Sequence, residues 1–66
     1  MNVTVNGKTR KLSGATSIAD LLKELGVSSE GTAVALNGAV VRRKEHGTTM
    51  LAGDDVVEVI RAVAGG

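Results

Sequence analysis

Two Asn-Gly dipeptides, Asn6-Gly7 and Asn37-Gly38, constrain this chain more than any other feature. A two-residue hairpin loop needs positive φ at both positions, which asparagine and glycine tolerate, so each dipeptide predicts a tight turn between the segments beside it. Met1 to Val5 alternates apolar and polar residues before the first turn, and Lys8 to Leu12 returns after it. The second turn joins Thr32 to Leu36 with Ala39, Val40 and Val41. In a two-residue hairpin Lys8 and Arg10 share a face with Val5 and Val3, a placement that suits an edge strand blunted by charge. The return strand of the first hairpin is therefore expected at a sheet edge.

Between the hairpins lies one helix signal. Ser17 stands three residues before Asp20 as a capping box, and Ile18, Leu21, Leu22 and Leu25 form one apolar stripe. Gly26 supplies a left-handed terminator. A helix of about two to three turns is marginal alone in water, so it needs a sheet to lie on. Arg42, Arg43 and Lys44 end the second hairpin, and the sequence stays polar and glycine-punctuated to Asp55 apart from Met50-Leu51. Val56 to Val63 is the most β-rich stretch and predicts a long last strand.

The expected order is β-β-α-β-β-β, an α+β fold with a mixed sheet of about four to five strands on one helix. If the first and last strands are parallel neighbours at the sheet centre, this is the β-grasp (ubiquitin-like) arrangement. A small open barrel is the competing layout. We expect a domain over residues 1–61 and a flexible tail over 62–66.

Composition removes most other functions. At 66 residues the chain is one domain at most, and a deep catalytic cavity would remove core that so small a fold can hardly spare. There is no cysteine, which excludes disulfides, thiolate zinc sites, Fe–S clusters and a cysteine nucleophile. Eight Lys/Arg against seven Asp/Glu give a net charge of +1, and there is no Phe, Tyr or Trp, so a nucleic-acid partner is not expected. No apolar run is long enough to span a membrane and no signal-peptide pattern opens the chain, so the expected setting is the cytoplasm, with no membrane partner. His46 is the only histidine and reads as a solvated loop side chain; Asp54 and Asp55 read as turn chemistry. No metal site and no catalytic residue set is expected.

What remains is the ending Ala62-Val63-Ala64-Gly65-Gly66. The bland reading is a frayed tail. The functional one is a tail narrow enough to thread a tunnel in a second protein and present the Gly66 carboxylate to chemistry there. A carboxylate is a poor electrophile, so its use requires activation, typically as an acyl-adenylate. With no thiol of its own, the chain could carry sulfur only as a terminal thiocarboxylate.

In order and at nearly full length, the sequence resembles the ThiS-type sulfur-carrier family of thiamine biosynthesis. The likeness rests on Asn6-Gly7, Ser17-Ile18-Ala19-Asp20-Leu21-Leu22, and Ala33-Val34-Ala35-Leu36-Asn37-Gly38. It continues through Val41, Arg43, Leu51, Asp55, Val57 and Glu58 to Ala62-Val63-Ala64-Gly65-Gly66. Two departures stand out: Arg42 where the family often has proline, and Gly53-Asp54-Asp55 for its usual Asp-Gly-Asp turn.

The resemblance implies that the chain is a co-substrate, not an enzyme. Gly66 would be adenylated by an E1-like, ThiF-type adenylyltransferase using ATP and Mg, converted to a thiocarboxylate with sulfur from a donor such as a cysteine desulfurase persulfide, and presented to a ThiG-type thiazole synthase. Gly65 and Ala64 would give the tail its access, and no cofactor would be bound by the chain itself. Docking is expected on the outer side of the sheet, with Val57, Val59 and Leu36 contributing, and at Arg42 and Arg43. The small subunit of molybdopterin synthase shares the fold and terminal chemistry, though such proteins are typically longer and often carry proline before the tail. A carrier for another pathway, a ubiquitin-like modifier joined to lysines, and a plain interaction module are the other readings.

Overall fold

The computed structural model describes residues 1–28 and 30–61. β1 (Asn2–Val5) and β2 (Lys8–Lys11) form the first hairpin, α1 (Ile18–Leu25) follows, and β3 (Thr32–Leu36) and β4 (Ala39–Val41) form the second. A 3-10 turn at Arg43–Glu45 leads through a long connection to β5 (Val56–Arg61). The five strands make one sheet in the order β2-β1-β5-β3-β4, with β1 and β5 parallel and the other neighbours antiparallel. This is the β-grasp arrangement, and the sheet stays open, with β2 and β4 as its edges.

Both hairpin turns take the backbone that their residues favour: φ is 49° and 81° at Asn6 and Gly7, and 51° and 86° at Asn37 and Gly38. The first turn sets Val5 opposite Lys8 and Val3 opposite Arg10, and β2 is indeed an edge. Asp54 also sits in the left-handed region, with φ of 69°, in the turn before β5.

The helix is fixed at both ends. Ser17 Oγ accepts from the Asp20 amide at 3.1 Å, and Asp20 Oδ2 accepts from the Ser17 amide at 3.2 Å. At the other end Gly26 is left-handed, its amide donates to the Lys23 carbonyl, and the Val27 amide donates to Leu22 O at 2.9 Å, the paired bonds of a Schellman ending. The first-turn amides of Ile18 and Ala19 donate to the carbonyls of Thr49 and His46 in the connection before β5. That long connection therefore completes the helix N-terminus, whose amides a helix cannot satisfy internally.

Ile18, Leu21 and Leu22 of the helix meet Val3 and Val5 of β1, Val34 of β3 and Val57 of β5, with Leu12 and Leu51 closing the sides. One expectation needs correction here. His46 is not solvated: it is 3% exposed, and its Nε2 lies 3.2 Å from the Val41 carbonyl. A carbonyl can only accept, so Nε2 carries the proton, and Nδ1 is buried with no partner among the described residues. The 3-10 turn swings the ring inward, which side-chain type alone does not foretell. The last strand was expected to run to Val63; its described part ends at Arg61, and Ala62 and Val63 lie outside the described residues.

Arg42 occupies a proline-like conformation, φ −64° and ψ 145°. The residue pair next to a two-residue turn, Leu36 and Ala39, is hydrogen-bonded, and pairs then alternate, so the Arg42 amide points away from β3. No acceptor takes it among the described residues. Arg42→Pro should therefore stabilise the fold by about 0.4–1 kcal/mol through the unfolded chain. A urea melt followed by far-ultraviolet circular dichroism checks this, and a loss of stability would show that the amide is used.

Candidate functional site

Residues 62–66 follow β5 directly in sequence. β5 lies between β1 and β3, paired with Val5 through Val57 on one side and with all five β3 residues on the other. The parallel pairing to β1 is short, Thr4 to Val56 and Val5 to Val57, because the chain turns away at Asn6.

The two turn asparagines extend those ladders. Asn6 Oδ1 accepts from the Val59 amide at 2.8 Å, and Asn6 Nδ2 donates to the Val59 carbonyl at 3.3 Å. From the other side, Asn37 Oδ1 accepts from the Val56 amide at 2.9 Å while the Asn37 amide donates to Val56 O at 2.7 Å. Each asparagine thus binds both backbone groups of one β5 residue, a task that needs a donor and an acceptor on one short side chain or its own amide. Asn37 Nδ2 also donates to Asp55 Oδ1 at 3.0 Å, and Asp55 Oδ2 accepts from the Ala52 amide at 2.7 Å, which locks the turn entering β5. The turn reading identified these residues as loop formers and missed that they hold the central strand. The available signal was that both dipeptides carry asparagine, not aspartate or glycine, at the first position.

The sheet has a covered and an uncovered face. Side chains alternate along a strand, so Val57, Val59 and Arg61 point to the helix side, and Val56, Glu58 and Ile60 point outward. Val57 is fully buried, and Val59 and Leu36 pack against the core. These three residues are therefore not on the outer side, where they were expected to contribute to docking. The apolar pattern of Val56 to Ile60 fits either parity, and the pairing of Leu36 with Val57 decides it.

The outer face instead carries Val56, Ile60 and Val40, exposed by 46%, 56% and 76%. Ala33 opposite Ile60 and Ala35 opposite both Glu58 and Val40 keep the strip between them low. Arg42 continues β4 at the register position beside Ala33, and both Arg42 and Arg43 are exposed. Arg43 makes a loose pair with Glu30, 3.9 Å apart at the surface. Ala64, Gly65 and Gly66 lie outside the described residues. Among the described residues no group of three or more His, Cys, Asp or Glu could hold a metal.

The sequence model of the ThiS family matches residues 3–66. The sulfur carrier protein ThiS of Thermus thermophilus is 39% identical over 64 residues, covering 97% of this chain and 98% of that protein. A thiazole synthase of Magnetococcus marinus is 36% identical over 66 residues; the match covers all of this chain, which spans only 20% of that protein's length. Among solved structures, the crystal structure of the thiamine biosynthesis protein ThiS from Geobacter metallireducens superposes with a TM-score of 0.84 at 36% identity, covering all of both chains.

Asn6→Gly keeps the left-handed backbone and removes the clamp on Val59. It should cost about 0.5–1.5 kcal/mol and speed exchange of the Val59 amide beyond the general acceleration that this loss gives at Val34. Equal acceleration at both amides would mean global destabilisation and no local clamp.

Proposed function

The chain belongs to the ThiS family, and on that premise we propose that it is the sulfur carrier of thiamine biosynthesis whose Gly66 carboxylate is adenylated, becomes a thiocarboxylate and donates its sulfur to a thiazole synthase. The observation that carries this reading is the likeness to a sulfur carrier protein over 97% of this chain and 98% of that one, with Gly65 and Gly66 inside the stretch that the family model matches. The matching segment within a thiazole synthase supports that enzyme class as the acceptor.

The chemistry follows from what the terminus lacks. A carboxylate has no leaving group, so one of its oxygens attacks the α-phosphorus of ATP, with Mg as counter-ion, and pyrophosphate departs. The acyl-adenylate then has AMP as a leaving group. The outer sulfur of a donor persulfide, such as that of a cysteine desulfurase, displaces AMP to form an acyl disulfide on the Gly66 carbonyl carbon. A thiol then cleaves the S–S bond, forming a disulfide with the donor sulfur and leaving the thiocarboxylate. The adenylyltransferase of ThiF type supplies this machinery; the carrier supplies a narrow end, since Ala64, Gly65 and Gly66 offer almost no side chain to a tunnel wall. The reaction would run in the cytoplasm, where ATP is available.

Docking on this reading uses the uncovered face of the sheet, with Val56, Ile60 and Val40 as apolar contacts and Arg42 and Arg43 at its rim. Such a face can be spent on a partner because the core lies wholly on the other side.

Incubating the chain with a ThiF-type enzyme, ATP, Mg and a sulfur donor should raise its intact mass by the exchange of one oxygen for sulfur, and a variant lacking Gly66 should stay unchanged. A mass gain that survives removal of Gly66, or none with competent partners, would overturn the reading. Ile60→Asp, on the outer face, should leave the melting profile close to that of the parent and slow adenylation at least about tenfold, in the range of an interface hot spot. Unaltered adenylation would remove the outer face from docking.

A further inference from the structure

The helix side of the sheet is not filled to its end. Beyond the last turn of α1 lies an open groove of about 480 Å³, floored by Val5, Leu25, Val27 and Val59. Its wall on one side is β2, through Lys8, Thr9 and Arg10, and on the other it reaches Arg61, the last described residue of β5. The volume falls in the lower part of the range of ligand pockets, large enough for one or two apolar side chains.

Three features converge there. The first is the apolar floor, half-buried at Leu25, Val27 and Val59 and not covered by the helix. The second is charge: Lys8, Arg10 and Arg61 surround the floor, and among the described residues none has a carboxylate within salt-bridge distance. The third is an unpaired strand edge. Among the described residues β2 bonds only to β1, and in this register the outward backbone groups are those of Thr9 and Lys11. A four-residue edge offers about 13 Å of ladder to an added strand.

We propose that the β2 edge and this groove together dock an extended acidic peptide segment of a partner protein. Such a segment would add a sixth strand beside β2, place apolar side chains on the floor and set carboxylates against Lys8, Arg10 and Arg61. The charges choose the occupant. A second copy of β2, laid antiparallel on the first, would bring Lys8 and Arg10 against their own kind, which is repulsive. A small anion would leave the apolar floor uncovered. An acidic strand satisfies the cations, the floor and the edge at once, and because Arg61 forms one margin, it would lie at the end of the sheet to which residues 62–66 are attached. The proposal stands apart from the sulfur chemistry and uses a different face from the one assigned to Val56 and Ile60.

The test is titration of the isotope-labelled full chain with an acetylated peptide of four valines followed by four glutamates, read by amide chemical shifts. Shifts should concentrate at Thr9, Lys11, Val27 and Val59, weaken at high salt, and disappear when lysines replace the glutamates. Lys8→Glu with Arg10→Glu should weaken binding at least tenfold, and Arg61→Glu alone should weaken it several-fold. Because Arg61 lies outside the first hairpin, the second variant keeps the test valid if the first disturbs β2. Shifts confined to the outer face, no shifts at millimolar peptide, or equal binding of the lysine peptide would overturn the proposal. The same shifts from free glutamate would make the site one for small anions. Shifts that grow with protein concentration alone would assign the edge to self-association, and the same shifts on deleting residues 62–66 would assign the groove to the chain's own tail; any of these three also overturns it.

Discussion

The central strand is the constraint on which the molecule depends. β5 comes last in the chain, yet it must insert between two hairpins made earlier, taking a parallel partner in β1 and an antiparallel one in β3. Parallel pairing without a covering helix of its own is the weaker contact, and here it spans only two residue pairs. Asn6 and Asn37 add side-chain bonds to Val59 and Val56, near opposite ends of the strand. Residues chosen for tight turns thus also supply the closure of the sheet, and the last strand is held from both sides.

A fold this small has one buried layer, and its residues are committed. Val3, Val5, Val34 and Val57 meet the helix and form the core with it. The opposite face is then free of structural duty. Its apolar strip of Val40, Val56 and Ile60, interrupted by Glu58, would be a liability on a molecule acting alone, and it has a use on one whose chemistry happens in a partner. The division of labour between the two faces, and not any cluster of reactive groups, is the structural argument for a carrier.

Much of this was legible in the residues. The turn dipeptides, the capping box at Ser17 and Asp20, and the terminator at Gly26 act locally, so their geometry follows from residue type, and the strand order followed once the helix had to lie between two hairpins. What was illegible depends on contacts distant in sequence. Val56-Val57 and Val59-Ile60 give two equally apolar parities, so only the β3 register decides that Val57 is core and Val56 surface. His46 reads as a loop residue until the 3-10 turn carries it under Val41 and its carbonyl meets the Ala19 amide. The second role of the asparagines required knowing what would lie beside them.

The two edges of the sheet solve the same problem in different ways, and the difference bears on how the molecule meets others. β4 is three residues long and presents little backbone to a passing strand, so length alone protects it. β2 is longer and is protected by charge, with Lys8 and Arg10 set on the core side, where an edge strand would ordinarily bury apolar groups. Protection by length rejects every strand alike. Protection by charge rejects only strands that are neutral or basic, since an acidic strand turns the same repulsion into attraction. An edge guarded in this way remains an edge, selective in what it admits, and it borders a groove on the helix side where the apolar layer is open.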